Sequence, residues 1–232
     1  MNDPIGKAIQ QYVAKPSKKW SIIVHSKICE DDDIPVHYLF RKYVDFPKLE
    51  KLAMQHCRGK ILDVGAGAGP HAKYLQEKGF SVEAIDVSPI AVDYLRSIGI
   101  SARAIDFLQL NGETYDTLLL LMNGIGIAGT LKNLEQTLLK AYHLLNENGI
   151  VLLETTDIIY LFEEEDGSRW LDLTAEYYGN FEYQMEFEGE IGEWFDWLFV
   201  DFEKLSEIAQ KIGFKVELLY NESYQYLVKL QK

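Results

Sequence analysis

A glycine-rich segment that starts with an acidic residue is the strongest chemical signal in the chain. Asp63-Val64-Gly65-Ala66-Gly67-Ala68-Gly69 follows a short apolar run and precedes a stretch with helical spacing. Glycine lets the backbone approach a ligand closely, and the first N–H groups of the following helix are free to bind an anion. Asp63 stands where its carboxylate would face an ammonium group. Alternatively it accepts hydrogen bonds from the loop's own N–H groups, and the two roles are compatible.

Two further acidic residues end the next predicted strands. Asp86 could accept hydrogen bonds from both hydroxyls of a ribose. It could instead cap a helix, but Ser88 already suits that position. Asp106 could accept a hydrogen bond from an adenine amino group, with Phe107 packing beside the ring, although an ordinary turn explains this pair equally well.

The elements that would position these residues alternate between strand and helix from residue 60 to 156. Such alternation predicts right-handed βαβ units and a parallel sheet, in which ligands bind beyond the carboxyl ends of the strands. Ser88-Pro89 predicts the start of one of the helices, and Gly79 and Gly99 predict helix ends. The predicted strands are 60–64, 80–85, 100–105, 115–122 and 150–154.

The remainder of the chain has another pattern. Apolar and polar residues alternate over 181–188, and a glycine turn leads into 193–200, which predicts a β-hairpin. A helix follows Asp201, and strands 214–220 and 224–230 are antiparallel because their connection is too short for a crossover. We predict one domain, with an N-terminal helical cap (1–58), a core (59–157), an inserted lid or hairpin (158–200) and a C-terminal helix and strand pair (201–232).

Together these features resemble the class I methyltransferase family that depends on S-adenosylmethionine (SAM). The resemblance covers residues 60–157 and the order of the C-terminal elements. It implies an α/β, Rossmann-like, seven-stranded, mostly parallel sheet with a C-terminal antiparallel strand pair. It also implies SAM as cofactor and S-adenosylhomocysteine (SAH) as product. The cofactor-binding positions that it implies are Asp63, Gly65, Ala66, Gly67, Gly69, Asp86, Val87, Asp106, Phe107 and Asn123.

Two other functions stay open at this point. A glycine-rich loop suits nicotinamide dinucleotides as well as SAM, so an NAD-dependent oxidoreductase is the principal alternative. Against it, Pro70 stands where the dinucleotide fingerprint has its third glycine. The other alternative is a SAM-binding sensor or scaffold protein without turnover. The five histidines are dispersed and predict no metal site. His71, two residues into the helix after the loop, could line the cofactor site, but a surface position is favoured.

The acceptor side of the site is less clearly marked. Asn123-Gly124-Ile125-Gly126 lacks the Pro-Pro motif of enzymes that methylate bases or glutamine amides. Methyl transfer is an in-line displacement that requires no universal catalytic residue, and none is identified. The segments 38–41 and 193–197 resemble a bacterial subgroup of small-molecule methyltransferases. By position, the candidate acceptor-binding residues are His37, Tyr38, Arg41, Asp157, Trp194 and Trp197.

Residues 158–203 carry 14 acidic side chains and one basic one, Arg169, together with several aromatic rings that include Trp170. This composition is typical of a lid for a cationic or amine acceptor. The alternation over 181–188 equally fits a hairpin with solvated carboxylates and buried aromatic rings.

Composition and charge narrow the class of partner. A net charge of -13 disfavours nucleic acid, because phosphate binding needs a Lys/Arg face. The longest aliphatic run is too short to span a bilayer, and the N-terminus lacks a signal-peptide pattern. Cys29 and Cys57 are isolated, as in reduced cytosolic proteins. We therefore predict a cytoplasmic protein that acts on a small molecule, without a nucleic-acid or membrane partner.

Overall fold

The computed structural model describes residues 2–163 and 176–232. Within those residues no helix is long and apolar enough to cross a membrane. The helices are α1 (Pro4–Ala14), α2 (Lys48–His56), α3 (Pro70–Glu77), α4 (Pro89–Ser97), α5 (Leu131–Leu144) and α6 (Phe202–Ile212). The strands are β1 (Ser21–Ser26), β2 (Asp32–Pro35), β3 (Lys60–Val64), β4 (Ser81–Asp86), β5 (Ser101–Ala104), β6 (Tyr115–Leu120), β7 (Leu145–Thr156), β8 (Asn180–Phe187), β9 (Glu190–Ile191), β10 (Phe195–Leu198), β11 (Lys215–Glu222) and β12 (Gln225–Gln231).

The central sheet has the predicted seven strands, in the order β11-β12-β7-β6-β3-β4-β5. Strands β3 to β7 are parallel, whereas β12 runs antiparallel to both β7 and β11. The strand order reverses at β3, which lies between β4 and β6. The carboxyl ends of these three strands therefore meet at the edge where ligands bind in such sheets.

Helices cover both faces of this sheet. Leu62 packs in a core with residues of α5 and α6, whereas its neighbour Ile61 packs in a second core with residues of α2, α3 and α4. Successive residues of a strand point to opposite faces, so a strand buried on both sides is apolar throughout. This double burial fixes the position of Asp63, the next residue of β3, which pairs with Ala84 of β4 and Leu119 of β6.

The N-terminal segment differs from the predicted helical cap. It contains α1 and α2, but also the antiparallel pair β1–β2, and β1 pairs with β8 of the insert. The second sheet has the order β10-β8-β1-β2, with β9 paired to β8. Ile22, Ile23 and Val24 are β-branched and favour a strand, and pairing with them removes the open edge that β8 would otherwise present.

The insert has the predicted hairpin with different bounds. Its first strand agrees within one residue with β8, whereas the predicted strand 193–200 is reduced to β10, and the short β9 precedes it. Residues 164–175 of the predicted insert, with Arg169 and Trp170, lie outside the described residues.

Candidate active site

The glycine loop between β3 and α3 borders open space. Gly65 and Gly67 have φ values of 69° and 54°, and a Cβ atom added to either would meet no other atom within 4 Å. The N–H groups of Gly65 and Ala66 donate to the Ile85 carbonyl, which ties the loop to the end of β4. Gly69 differs, because a Cβ there would overlap Leu95 of α4. The first two glycines thus leave room for a ligand, whereas the third allows α3 and α4 to pack.

Asp63 lies beneath this loop and is 2% exposed. One carboxylate oxygen accepts the Ala72 N–H in the first turn of α3, at 3.1 Å. Burial raises the pKa of Asp63 to about 6, although the charge of His71 and the Ala72 N–H act in the opposite direction. The other oxygen accepts no hydrogen bond from the described residues. Asp63 therefore caps α3 and still has one oxygen available for a cation.

Asp86 holds the loop at the end of β4. Its two carboxylate oxygens accept the N–H groups of Gly67, at 2.8 Å, and Ser88, at 2.9 Å. Burial raises the pKa of Asp86, whereas the two hydrogen bonds lower it, and burial has the larger effect. The cap of α4 is Ser88, whose hydroxyl accepts the Ala91 N–H at 3.0 Å, as predicted. Asp86 is therefore not the helix cap, and its neighbour Val87 is 73% exposed beside the loop.

Asp106 and Phe107 form a turn, which is one of the two alternatives predicted from the sequence. Asp106 is exposed, and its carboxylate accepts the Leu108 N–H at 2.7 Å at the start of a 3₁₀ helix. Phe107 is buried and belongs to the core on the α5 side of the sheet. The carboxylate of Asp106 thus stands at the same edge as Asp86, one strand further out.

A buried ionic network that the sequence did not reveal lies beside Asp63. Glu50 of α2 forms an ion pair with Arg41, and its other oxygen lies 3.0 Å from His71 Nε2. The three residues are 3%, 8% and 5% exposed. The predicted surface position of His71 is wrong, because the first turn of α3 faces α2 and Phe46.

The protonation state of this network follows from its partners. Burial alone would raise the pKa of Glu50, but the hydrogen bond and charge of His71 and the charge of Arg41 outweigh it and lower the pKa. An ionised carboxylate only accepts hydrogen bonds, so His71 carries its proton on Nε2. The Nε atom of Arg41 is buried and has no hydrogen-bond partner in the described residues. An orphaned guanidinium N–H of this kind suits an anionic ligand group.

A cavity of about 200 Å³ lies next to the network, lined by residues that include Tyr38, Glu50, Met122, Glu154 and Gln225. Glu154, near the end of β7, accepts the Met122 N–H at 2.7 Å. The guanidinium carbon of Arg41 lies 4.0 Å from the centre of the Tyr38 ring. Sequence reasoning identified Tyr38 and Arg41 but missed both glutamates.

The backbone after β6 is strained where it borders the cavity. Met122 and Asn123 have φ values of 57° and 54°, in the left-handed region that costs most residues energy. The Asn123 amide fixes this turn, since it donates to the Leu198 carbonyl and accepts the Thr156 N–H, both at 3.1 Å. The side chain of Asn123 therefore joins β7 and β10 to the turn, and both its polar atoms are engaged within the protein.

The other candidate acceptor residues are dispersed. Trp197 packs against Gly126, where an added Cβ would overlap its ring, so it lies over the turn after β6. Trp194 is 42% exposed and lies beside Lys27, whose Nζ is 5.1 Å from the ring centre. Asp157 accepts hydrogen bonds from the Tyr178 hydroxyl and the Ile159 N–H. His37 has a buried Nδ1 without a partner in the described residues.

Comparison with known proteins identifies the family. Residues 36–219 match the family model described as a methyltransferase domain. The chain belongs to the class I methyltransferase family. A SAM-dependent methyltransferase from Bacteroides fragilis, solved in complex with SAH, is 40% identical, with a TM-score of 0.91 and coverage of 99% of this chain and 94% of that one. None of the curated proteins matches the sequence.

More distant structures share the fold of this methyltransferase. The CcbJ methyltransferase from Streptomyces caelestis has a TM-score of 0.60 at 15% identity, over 81% of this chain and 93% of that one. The amino pentose methyltransferase CalS10 from Micromonospora echinaspora, solved with SAM bound, has a TM-score of 0.56 at 15% identity, over 79% and 87%. The predicted fold, family and cofactor are thus confirmed, and the family decides against the NAD-dependent oxidoreductase.

The residues of the site fit SAM, the cofactor of this methyltransferase. SAM has an ammonium group, a carboxylate and a positively charged sulfonium, and when bound it supplies an electrophilic methyl group. The available oxygen of Asp63 suits the ammonium, and the orphaned Nε of Arg41 suits the carboxylate. The backbone at Gly65 and Gly67 borders open space that can accommodate the cofactor.

Proposed function

We propose that this methyltransferase transfers the methyl group of SAM to a small-molecule acceptor, by in-line displacement in the cavity beside Met122. The main support is the position of that cavity at the carboxyl edge of the sheet, next to the turn after β6. Its volume of about 200 Å³ lies below the roughly 300–1,000 Å³ of pockets that enclose drug-sized ligands, so it suits a small acceptor group. The net charge of -13 works against a nucleic-acid acceptor.

We assign the cofactor contacts as follows. Asp63 binds the ammonium group, Asp86 accepts the ribose hydroxyls, and Asp106 accepts the adenine amino group. Arg41 binds the carboxylate of the methionine part. We therefore assign Arg41 to the cofactor, whereas the sequence predicted it to bind the acceptor. The backbone of the loop from Gly65 to Gly69 packs against the cofactor between these charged groups.

The protein contributes alignment and exclusion of water, which are the main requirements of a displacement at a methyl group. The Asn123 amide holds the turn after β6 in its left-handed conformation, and Glu154 fixes it by accepting the Met122 N–H. Trp197 covers the same turn from β10. We propose that the second sheet, built from the N-terminal segment and the insert, covers the acceptor side of a single methyltransferase domain.

Transfer of label from methyl-labelled SAM tests this function. A bacterial extract is separated into low-molecular-weight and macromolecular fractions, and each is incubated with the protein and with an Asp86→Ala variant as control. We expect label in the low-molecular-weight fraction for the wild type and a strong reduction for the variant. Label in protein or nucleic acid would contradict the proposal. Tight SAM binding without transfer would favour the sensor or scaffold protein.

A further inference from the structure

Glu154 is an acidic residue of the cavity that forms no ion pair with the described residues. It is partly buried, and its only hydrogen bond in the part of the chain that the structure describes is the one that it accepts from the Met122 N–H. No lysine, arginine or histidine in that part forms an ion pair with it. A carboxylate withdrawn from water without a cation is costly, so such a group is typical of a site that receives a positive charge.

The two neighbouring cations pair with a different carboxylate. Arg41 and His71 both form ion pairs with Glu50, and neither forms one with Glu154. Burial has the largest effect on Glu154 and raises its pKa. The hydrogen bond from the Met122 N–H lowers this pKa, the charge of Glu50 raises it, and the charges of His71 and Arg41 lower it. Asp63 lies beneath the glycine loop, where it accepts the Ala72 N–H.

The other walls of the cavity also suit a cation. Tyr38 contributes an aromatic ring, and its hydroxyl makes no hydrogen bond with the described residues. Burial raises the pKa of this hydroxyl, so it stays neutral and can donate or accept. Met122 adds a polarisable sulfur to the lining. The cavity thus combines the carboxylate of Glu154, which has no ion-pair partner in the described residues, with the paired carboxylate of Glu50, an aromatic ring and a polarisable sulfur.

We propose that the methyl acceptor is an amine and that Glu154 binds its ammonium group and takes its proton. This inference rests on the proposed function and names the acceptor class for the same cavity. The Glu154 carboxylate pairs with the R-NH3⁺ group and accepts one proton, which leaves a neutral nitrogen with its lone pair. That lone pair forms the new N–C bond as the C–S bond of SAM breaks and its electron pair stays on sulfur. The products are R-NH2-CH3⁺, SAH and a proton that Glu154 releases to water.

Benzylamine and benzyl alcohol provide a matched pair of probes, since they share a carbon skeleton and differ in charge. Both are titrated calorimetrically into the SAH-saturated protein. Three proteins are compared: the wild type, Glu154→Gln, and Glu135→Gln on the exposed face of α5. Glutamine keeps a carbonyl oxygen for the Met122 N–H, so the variant retains the local fold, which thermal unfolding verifies. SAH affinity is measured for each protein.

We expect the wild type and Glu135→Gln to bind benzylamine at least about 10-fold more tightly than benzyl alcohol. Glu154→Gln should lose roughly 10- to 100-fold in benzylamine affinity, the scale of a hydrogen-bonded charge, with unchanged affinity for benzyl alcohol and SAH. The inference is overturned if the wild type shows no preference for the amine, including the case in which neither probe binds, or if the preference survives in Glu154→Gln. A parallel loss of SAH affinity would also overturn it, because Glu154 would then contact the cofactor.

Failure of this inference is distinct from failure of the proposed function. Transfer of label to a neutral small molecule in the fractionated extract would contradict the amine acceptor and leave the proposed function intact. Transfer to a macromolecule would contradict both.

Discussion

Asp63→Asn replaces the most deeply buried carboxylate of the site with a neutral side chain of the same shape. The pKa of Asp63 is raised from 3.8 to about 6 by burial, opposed by the His71 charge and the Ala72 N–H. The folded protein therefore binds this proton more tightly than the unfolded chain does. At about 1.4 kcal/mol per pKa unit, the ionised carboxylate costs the folded state about 3 kcal/mol. This cost is absent below about pH 4, develops as the pH rises to about 6, and is complete above that.

The variant should thus be more stable than the wild type at about pH 8, by up to ~3 kcal/mol, and the gain should shrink as the pH falls towards 4. Asparagine still accepts the Ala72 N–H, so the cap of α3 is kept. The same change removes the proposed partner of the SAM ammonium, and SAM affinity should fall by about 1.5–3 kcal/mol.

Urea unfolding at about pH 5 and about pH 8 measures the first effect, and calorimetry with SAM measures the second. Glu135→Gln is the control for loss of an exposed carboxylate. Lower stability of Asp63→Asn at about pH 8 would show that the charge itself stabilises the fold, which contradicts the reasoning. If the Asp63→Asn variant bound SAM with the affinity of the wild type, Asp63 would not be a cofactor-binding residue.

Three further predictions follow from the contacts. Trp197→Ala should impair acceptor turnover more than SAM affinity, because the ring covers the turn after β6, whereas exposed Trp194→Ala should leave steady-state turnover near the wild-type value. Glu50→Ala should lower the free energy of unfolding by about 3–5 kcal/mol in urea titrations, since it leaves buried Arg41 without its ion-pair partner. A loss below about 1 kcal/mol is typical of an exposed ion pair and would contradict the burial of this network. Asn123→Ala should cost about 2–4 kcal/mol in the same assay, because one buried and one partly buried hydrogen bond and a residue that tolerates positive φ are lost; unchanged stability would contradict the role of the amide in holding the turn.

The parts of the fold that depend on local pattern could be predicted. Strands β3 to β7 are marked by apolar runs that end in glycine or acidic residues, and the helix caps lie within a few residues of them. Asp63 and Asp86 were found for the same reason, since each ends a strand next to a recognisable loop. Their alternative roles as acceptors of backbone N–H groups are also present in the structure.

The remainder depends on contacts between distant segments. Arg41, Glu50 and His71 come from three separate elements, and nothing in the pattern of α2 distinguishes Glu50 from a solvated residue. The second sheet requires β1 to pair with β8, far along the chain. One relevant signal is present in the sequence, since Trp194 and Trp197 stand three residues apart in or next to a strand. The alternation of side chains along a strand predicts that the two rings lie on opposite faces, so they do not line the same surface of a lid.

The most direct test of the cofactor site is calorimetry of the wild type and Asp86→Ala with SAM, SAH and NAD. We expect SAM and SAH to bind the wild type with one site per chain and NAD not to bind. Asp86→Ala should weaken SAM binding by about 1.5–3 kcal/mol. It should also lower stability, because the Gly67 and Ser88 N–H groups lose their acceptor even though Ser88 still caps α4. Binding of NAD, or wild-type SAM affinity in a folded Asp86→Ala variant, would contradict the account of this site.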